Sequence, residues 1–198
     1  MKFGTNSDYD LLGSYLGRKL IGARYFYEGY KASSDVNNNI SFYSARDYNG
    51  HGTHTLSKTT GNFVYGVSVF GLGNGIASGA SPKAPVASNK VCCDYSSCND
   101  ADILAPTEAV ITDGVDVIFL SLGPDEPKEY FNNSIAIGTF HAFLNGLVVV
   151  SSAGNDGPKS YNILNSKQWV IIVAASTTDR DFTNTVILGD NKILEVYI

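Results

Sequence analysis

The chain has 198 residues, of which 43% are hydrophobic and 17% charged, a composition typical of a globular domain with one sizeable core. Its net charge of −5 excludes the basic surface that nucleic acids or anionic lipids would need. No apolar run is long enough to cross a bilayer, and no apolar stretch follows the lysine of the first ten residues, so we expect neither a membrane segment nor a signal peptide in this chain.

The first quarter of the chain is rich in Gly, Asn, Ser and Tyr and has weak periodicity. One segment in it, "RKLIGARYF" at 18–26, has the pattern of a strand. The segment "ASSDVNNNIS" at 32–41 is typical of a loop because of its Asn and Ser content.

A glycine pattern at 71–79, "GLGNGIASG", is similar to a dinucleotide-binding loop. Such a loop must open a helix whose N-terminus holds the pyrophosphate, and Pro82 and Pro85 forbid that helix. We therefore expect a glycine-rich loop over a sheet, and nucleotide binding is the weakest of the hypotheses considered.

From Val86 onward, strand and helix patterns alternate. In chain order the predicted elements are a strand "PVASNKV", a helix "DADILAPTEAVITDG" ended by Gly114, a strand "VDVIFLSLG", a helix "YFNNSIAIGTFHAFLNG" ended by Gly146, strands "LVVVSSAGN" and "QWVIIVAAS", and a hairpin around "GDN". Continuous β-branched strands separated by helices indicate parallel βαβ units, whose ligands bind beyond the carboxyl ends of the strands.

The segment "ARDYNGHGTHT" at 45–55 holds two of the three histidines, His51 and His54. On a helix this spacing puts both imidazoles on one face, where they could bind one metal ion, although the zincin pattern needs a spacing of four and a glutamate. A general base at a helix start is a second interpretation, since imidazole titrates near neutral pH. A surface turn without function is a third.

A tight turn is predicted at "AGNDGP", 153–158, where Gly154 and Gly157 flank Asn155. An amide N–H aimed into a crevice from this turn could stabilise an oxyanion, an effect worth roughly 3–4 kcal/mol. An ordinary Asn-Asp-Gly turn is the alternative.

Three cysteines and two glycosylation triplets stay open to more than one interpretation. A Cys92–Cys98 disulfide would leave Cys93 over, a reduced trio is equally compatible, and the absence of a nearby histidine argues against a zinc site. The triplets at Asn39 and Asn132 matter only if the chain is secreted.

Taken together, these segments resemble the subtilisin-like serine proteases, and specifically the plant, cucumisin-like branch. The resemblance lies in "RKLIGARYF", "RDYNGHGTHT", "FGLGNGIASGASPKAPVA", "ADILAPTEAVITDGVDVIFLSLG", "SIAIGTFHA", "VVVSSAGNDGP" and "WVIIVAAS". It implies an α/β protein with a three-layer subtilisin-like fold, in which a mainly parallel central sheet is flanked by helices. Residues 1–198 would form part of that peptidase domain, truncated at both ends.

The resemblance also implies hydrolysis of peptide bonds by an Asp, His and Ser triad with an Asn oxyanion donor. By motif match, His51 is the general base, Asn155 is the oxyanion donor, His54 is structural and His141 has no catalytic counterpart. The substrate-binding residues implied are Ser121, Leu122 and Gly123, which would pair with extended substrate, and Ser152, Ala153 and Gly154, which would line the pocket for the side chain just before the scissile bond. The implied partner is a peptide or protein substrate, with no metal and no cofactor.

The chain departs from the family pattern at its catalytic acid and nucleophile. The family's Asp stands in an Asp-Thr/Ser-Gly motif after an apolar strand, and none of Asp8, Asp10, Asp35 and Asp47 does so. No Gly-Thr-Ser motif is present for the nucleophile. We therefore expect no activity from the chain alone, and a non-catalytic peptide-binding or regulatory remnant is the alternative.

Two further expectations follow from the resemblance. The family acts in the extracellular space or cell wall, which we expect here although the chain carries no signal. Pro106 falls inside a predicted helix, where it should cost up to ~3 kcal/mol unless the helix begins at Thr107.

Overall fold

The computed structural model describes residues 19–33, 44–93, 98–124, 126–176 and 183–197. Most of the predicted loop at 32–41, together with Asp8, Asp10, Asp35 and the triplet at Asn39, lies outside these residues. None of the described helices is long and apolar enough to span a membrane.

Nine strands and four α-helices are described, and every strand and helix predicted from sequence is among them. The strands are β1 Leu20–Tyr25, β2 Val64–Val69, β3 Leu72–Ala77, β4 Val86–Lys90, β5 Val117–Leu120, β6 Val148–Ser152, β7 Ile171–Val173, β8 Thr183–Ile187 and β9 Ile193–Tyr197. The helices are α1 Glu28–Ser33, α2 His51–Thr60, α3 Asp100–Asp113 and α4 Ser134–Leu144, with a 3₁₀ turn at Tyr130–Asn132.

The strands pair as an α/β protein requires. β1 pairs with β4 in parallel, and β5, β6 and β7 form a second parallel group in that order. The β8–β9 hairpin is confirmed as antiparallel. In the described residues the parallel strands therefore form two hydrogen-bonded groups, and the expected α/β fold class is confirmed.

The glycine-rich segment at 71–79 is not a loop, and that prediction is wrong. Its first part is strand β3, which pairs antiparallel with β2 through a two-residue turn at Phe70 and Gly71. Both turn residues have positive φ, 52° and 84°, as the primed hairpin turns require. Gly71 adopts this conformation without strain, and the chain can therefore reverse after β2.

Helix α3 begins and ends where local side-chain chemistry predicts. The side chain of Asn99 accepts a hydrogen bond from the backbone N–H of Ala101, and Gly114 ends the helix with φ 69°. The helix begins at Asp100 and not at Thr107, so Pro106 lies inside it and is buried. The proline ring leaves the carbonyl four residues earlier without its usual donor, and burial of its apolar surface offsets part of that cost.

Two carboxylates of α3 bind parts of the chain that precede it. Asp102, which is 2% exposed, accepts hydrogen bonds from the backbone N–H groups of Gly29 and Tyr30 at 2.9 and 2.8 Å. It therefore caps α1, a helix too short to be stable alone. Asp113 forms a two-pronged ion pair with Arg24 of β1, with N–O distances of 2.7 and 3.0 Å.

Helix α4 buries mainly small residues together with Ile135, whereas the other large residues of the apolar stripe that its sequence indicates are exposed. Ile137 and Phe143 are 44% and 50% exposed, whereas Ala142 is fully buried against Leu147 and Val149. Small residues occupy most of the inward positions because α3 packs closely on this face.

The structure contains a disulfide, which is one of the two cysteine states that the sequence leaves open. Cys92 and Cys98 are bonded, and Cys93 is buried outside that bond. The disulfide joins the end of the β4 segment to the start of α3.

Candidate active site

The predicted substrate-binding residues lie together at the carboxyl edge of the β5–β6–β7 sheet. Residues 121–123 follow β5 directly, and Ser152 is the last residue of β6. In the register of the parallel pair, Leu120 stands opposite Ser151. The two segments therefore leave the sheet side by side, as the rule for ligand sites in parallel sheets anticipates.

Main-chain hydrogen bonds fix the segment after β6. The N–H of Ala153 donates to the carbonyl of Val173 at 2.9 Å, and the N–H of Leu164 donates to the carbonyl of Ala153 at 3.0 Å. Gly154 has φ 93°, and a Cβ atom at this position would lie 2.9 Å from Cδ1 of Leu164. Only glycine therefore fits between this turn and the loop that returns over it.

A side chain that the sequence did not single out connects the two segments. Asn165, which is 0% exposed, donates from Nδ2 to the carbonyls of Leu122 and Ser152, both at 2.9 Å. Its Oδ1 accepts from Nζ of Lys167 at 3.1 Å. Burial lowers the pKa of Lys167 below its ordinary value. Nothing in the local sequence marks this Asn, since it lies in a loop outside every recognised motif.

Asn155 lies at the exposed tip that follows these buried residues. Within the described part of the chain, no residue hydrogen-bonds its carboxamide. The loop around it is held by Asn162, whose Nδ2 donates to the carbonyl of Asp156 at 2.6 Å. Asn155 is therefore an exposed side chain on the segment that follows β6.

His51 is the first residue of α2 and is exposed. Of the interpretations left open for this segment, the structure shows a helix, and its start is held by Asp47. One carboxylate oxygen of Asp47 accepts from the N–H groups of Asn49 and Gly50 at 3.0 and 2.9 Å. The other accepts from the N–H and the hydroxyl of Thr53 at 2.8 and 2.7 Å. Asp47 is thus a helix cap, which its position before a Gly-turn could have indicated.

The loop before His51 is tied to the carboxyl end of β4. Nζ of Lys90 donates to the carbonyls of Ser44 and Arg46 at 3.3 and 3.1 Å and lies 5.1 Å from the ring centre of Tyr48. Burial lowers the pKa of Lys90, while the charge of Asp47 opposes that shift. The last residue of β4 therefore places the start of α2 at the edge of the parallel sheet.

Loss of the Asp47 carboxylate should destabilise the chain by about 0.5–2 kcal/mol near neutral pH, since a helix cap is lost. Partial burial raises the pKa of Asp47, but hydrogen bonds from Gly50, Thr53 and Asn49 outweigh it and lower the pKa to about 2. The pKa is lower in the folded chain, so the stabilisation is present above the ordinary value near 3.8 and is lost as pH falls through about 2. Urea unfolding of the chain and of Asp47→Ala between pH 7 and 2 measures this.

The control for that measurement is Asp156→Ala, which removes an exposed carboxylate from a different loop. An Asp47→Ala deficit that is absent at pH 7, or that persists unchanged at pH 2, would contradict the assigned cap.

The structure brings together some of the predicted residues and leaves others apart. Residues 121–123 and 152–154 share one edge of the sheet through Asn165. No described hydrogen bond joins His51 to Asn155 or to that edge, so their juxtaposition stays a prediction. His141, on α4, has Nδ1 2.6 Å from Glu108 of α3 and takes part in a surface contact.

Comparison with known proteins gives consistent results. A sequence model described as the Subtilase family matches residues 7–188. The chain is 56% identical over 178 residues to subtilisin-like protease SBT5.4 of Arabidopsis thaliana, covering 88% of this chain and 23% of that protein. It is 52% identical over 181 residues to SBT5.3 of the same plant, covering 90% of this chain and 23% of that protein. A Glycine max subtilisin-like protease, Glyma18g48580, is 46% identical over 184 residues, with 90% and 23% covered.

The chain therefore spans about a quarter of the length of these curated relatives. Among solved structures, the S41 psychrophilic protease has a TM-score of 0.52 at 21% identity, with 84% of this chain and 57% of that chain covered. That likeness supports the fold described above.

Proposed function

The chain belongs to the subtilase family, and from this premise we propose that residues 1–198 are part of the catalytic domain of a serine endopeptidase. The observation that carries the proposal is the junction at the carboxyl edge of the sheet, where residues 121–123 and 152–154 lie side by side. This is the edge at which a parallel sheet binds ligands.

The proposed substrate is an extended peptide. Its backbone would pair with Ser121, Leu122 and Gly123 as an added strand, and main-chain hydrogen bonds would supply affinity without regard to sequence. Its side chain just before the scissile bond would enter the pocket lined by Ser152, Ala153 and Gly154. Main-chain pairing of this kind suits a protein or peptide substrate.

In the proposed mechanism, His51 is the general base. Its imidazole takes the proton of a serine hydroxyl as that oxygen attacks the scissile carbonyl, and returns it to the leaving amine. Asn155 donates a hydrogen bond to the oxygen that becomes negative in the tetrahedral intermediate. The exposed positions of both side chains support these roles, since each must meet the substrate.

The 198 residues contain neither an Asp-Thr/Ser-Gly nor a Gly-Thr-Ser motif. We therefore propose that this chain alone forms no acyl-enzyme and has no endopeptidase activity. The proposed site of action is the extracellular space or cell wall, where the exposed Asn132 could carry a glycan.

The test uses a hybrid protease, in which this chain replaces the matching segment of SBT5.4. The isolated chain should neither cleave a fluorogenic peptide nor react with a fluorophosphonate serine probe, whereas the hybrid protease should do both. SBT5.4 itself is the positive control. Labelling of the isolated chain, or a folded hybrid protease without turnover, would each contradict the proposal.

A second function, a non-catalytic peptide-binding or regulatory protein, is favoured by the missing motifs alone. It predicts that the isolated chain binds a fluorescein-labelled apolar tetrapeptide while the hybrid protease stays inactive. The two functions are therefore separated by the same pair of proteins.

A further inference from the structure

Asn165 is a polar side chain with no exposure to solvent, and each of its hydrogen-bonding groups has a protein partner. Its two Nδ2 hydrogens account for the two carbonyls at 2.9 Å, and its Oδ1 accepts from Lys167. A buried carboxamide with all its partners in place is held in one orientation.

The two carbonyls that it binds lie just beyond the last register pair of the β5–β6 ladder, Leu120 opposite Ser151. Two carbonyl oxygens cannot bond to each other, so β5 and β6 would have no direct main-chain link between Leu122 and Ser152. The NH₂ group of Asn165 supplies two donors at that point. It therefore continues the connection after the main-chain ladder has ended.

Lys167 determines which end of the carboxamide faces the carbonyls. Its ammonium group can only donate, and it lies 3.1 Å from Oδ1. A flipped carboxamide would put its oxygen against two carbonyl oxygens and its NH₂ against the ammonium. Lys167 is 4% exposed, so no bulk water intervenes to relieve that clash.

The backbone of Gly123 passes close to this bridge. A Cβ atom on Gly123 would lie 3.2 Å from Nδ2 of Asn165, and Leu164 closes over Gly154. The bridge thus contacts both segments that the proposed function assigns to substrate.

From this geometry we infer that Asn165 is a positioning residue, which fixes the distance between residues 121–123 and 152–154 and so sets which substrate side chain fits before the scissile bond. The part of the inference that concerns selection of the substrate side chain rests on the proposed function. Its structural part, the coupling of the two segments, holds independently of activity.

The first measurement is amide hydrogen exchange in the 198-residue chain. Asn165→Asp keeps the shape of the side chain but replaces both donors with acceptors, and should accelerate exchange at Ala153 and Leu164 by about ten-fold or more, the effect of losing about one net hydrogen bond. Amides in the middle of α4 should not change. Asn165→Ser, which keeps one donor, should give a smaller acceleration. If Asn165→Asp does not fold, exchange in Asn165→Ser tests the inference in its place.

The matched control is Asn162→Asp, the same chemical change in the same loop, which breaks only the hydrogen bond to Asp156. It should leave the Ala153 amide unchanged. Unchanged exchange at Ala153 and Leu164 in both Asn165 variants would overturn the inference, whatever the activity of the hybrid protease.

The second measurement is substrate selectivity in the hybrid protease. The ratio of kcat/KM for peptides with phenylalanine or alanine before the scissile bond should change by about ten-fold or more in Asn165→Asp. It should stay near the parent value in Asn145→Asp, the same chemical change at an exposed residue whose side chain donates to the carbonyl of His141 at the end of α4. An unaltered ratio in a folded Asn165→Asp hybrid would overturn the positioning role. An inactive parent hybrid would instead count against the proposed function, and the exchange experiment would still decide the coupling.

Discussion

Replacing His51 by alanine should lower kcat of the hybrid protease by about 10⁶-fold, the magnitude measured for loss of the histidine in subtilisin, a member of the same family. The imidazole removes the proton from the nucleophile and protonates the leaving group, so both halves of the reaction lose their catalyst. Hydrolysis of a fluorogenic peptide over several hours, with the parent hybrid as reference, measures a loss of this size.

His54→Ala is the matched control for His51, because it removes the other imidazole of α2 three residues along the helix. It should change kcat by less than about ten-fold, as expected for a side chain that does not touch the reacting atoms. Equal losses in the two variants would indicate a folding defect of α2. A hybrid with His51→Ala that retains near-parent kcat would remove His51 from the mechanism.

Replacing Asn155 by leucine should lower kcat by about 10²–10³-fold while KM stays close to its parent value. Leucine has nearly the same shape but no N–H, and the donor acts only when negative charge develops on the carbonyl oxygen. A loss confined to kcat is therefore the expected signature of a group that binds the transition state and not the ground state. Steady-state kinetics over a range of peptide concentrations separates the two constants.

Lys159→Ala serves as control here, since it alters an exposed side chain in the same loop. It should leave both constants nearly unchanged. An Asn155→Leu effect that falls on KM alone would show that Asn155 binds substrate in the ground state, and the oxyanion role would then be lost.

The sequence of the glycine-rich segment at 71–79 correctly excluded a dinucleotide site but wrongly indicated a loop. The prolines that follow it rule out the helix that a dinucleotide site needs, and the structure has no helix at Pro82. The glycine pattern predicts a loop, yet Gly73 and Gly75 lie in the hairpin strand β3. The deciding feature was the positive φ of Phe70 and Gly71, a conformation that two-residue hairpins need and that spacing alone did not reveal.

The sequence pattern of α4 also did not predict which of its residues are buried. Periodicity placed Ile135, Ile137 and Phe143 on the face expected to pack, and of these three only Ile135 is buried. The other inward positions are held by small residues such as Gly138 and Ala142. A Cβ atom on Gly138 would lie 2.7 Å from Oγ1 of Thr107, which measures how near the two helices come. Helix–helix distance is a property of the assembled chain and has no counterpart in the hydrophobic pattern of one helix.

Amino-acid sequence by itself determined the parallel βαβ order, the ends of α3 and the edge of the sheet at which we propose that ligands bind. These follow from caps, turns and periodicities that act within a few residues. Tertiary structure alone decided that Asp102 caps α1 and that Asn165 joins Leu122 to Ser152, partners 43 and 13 residues away from it. The physical reason is that a buried hydrogen-bonding group must find a partner wherever the folded chain places one, and sequence proximity does not enter that requirement.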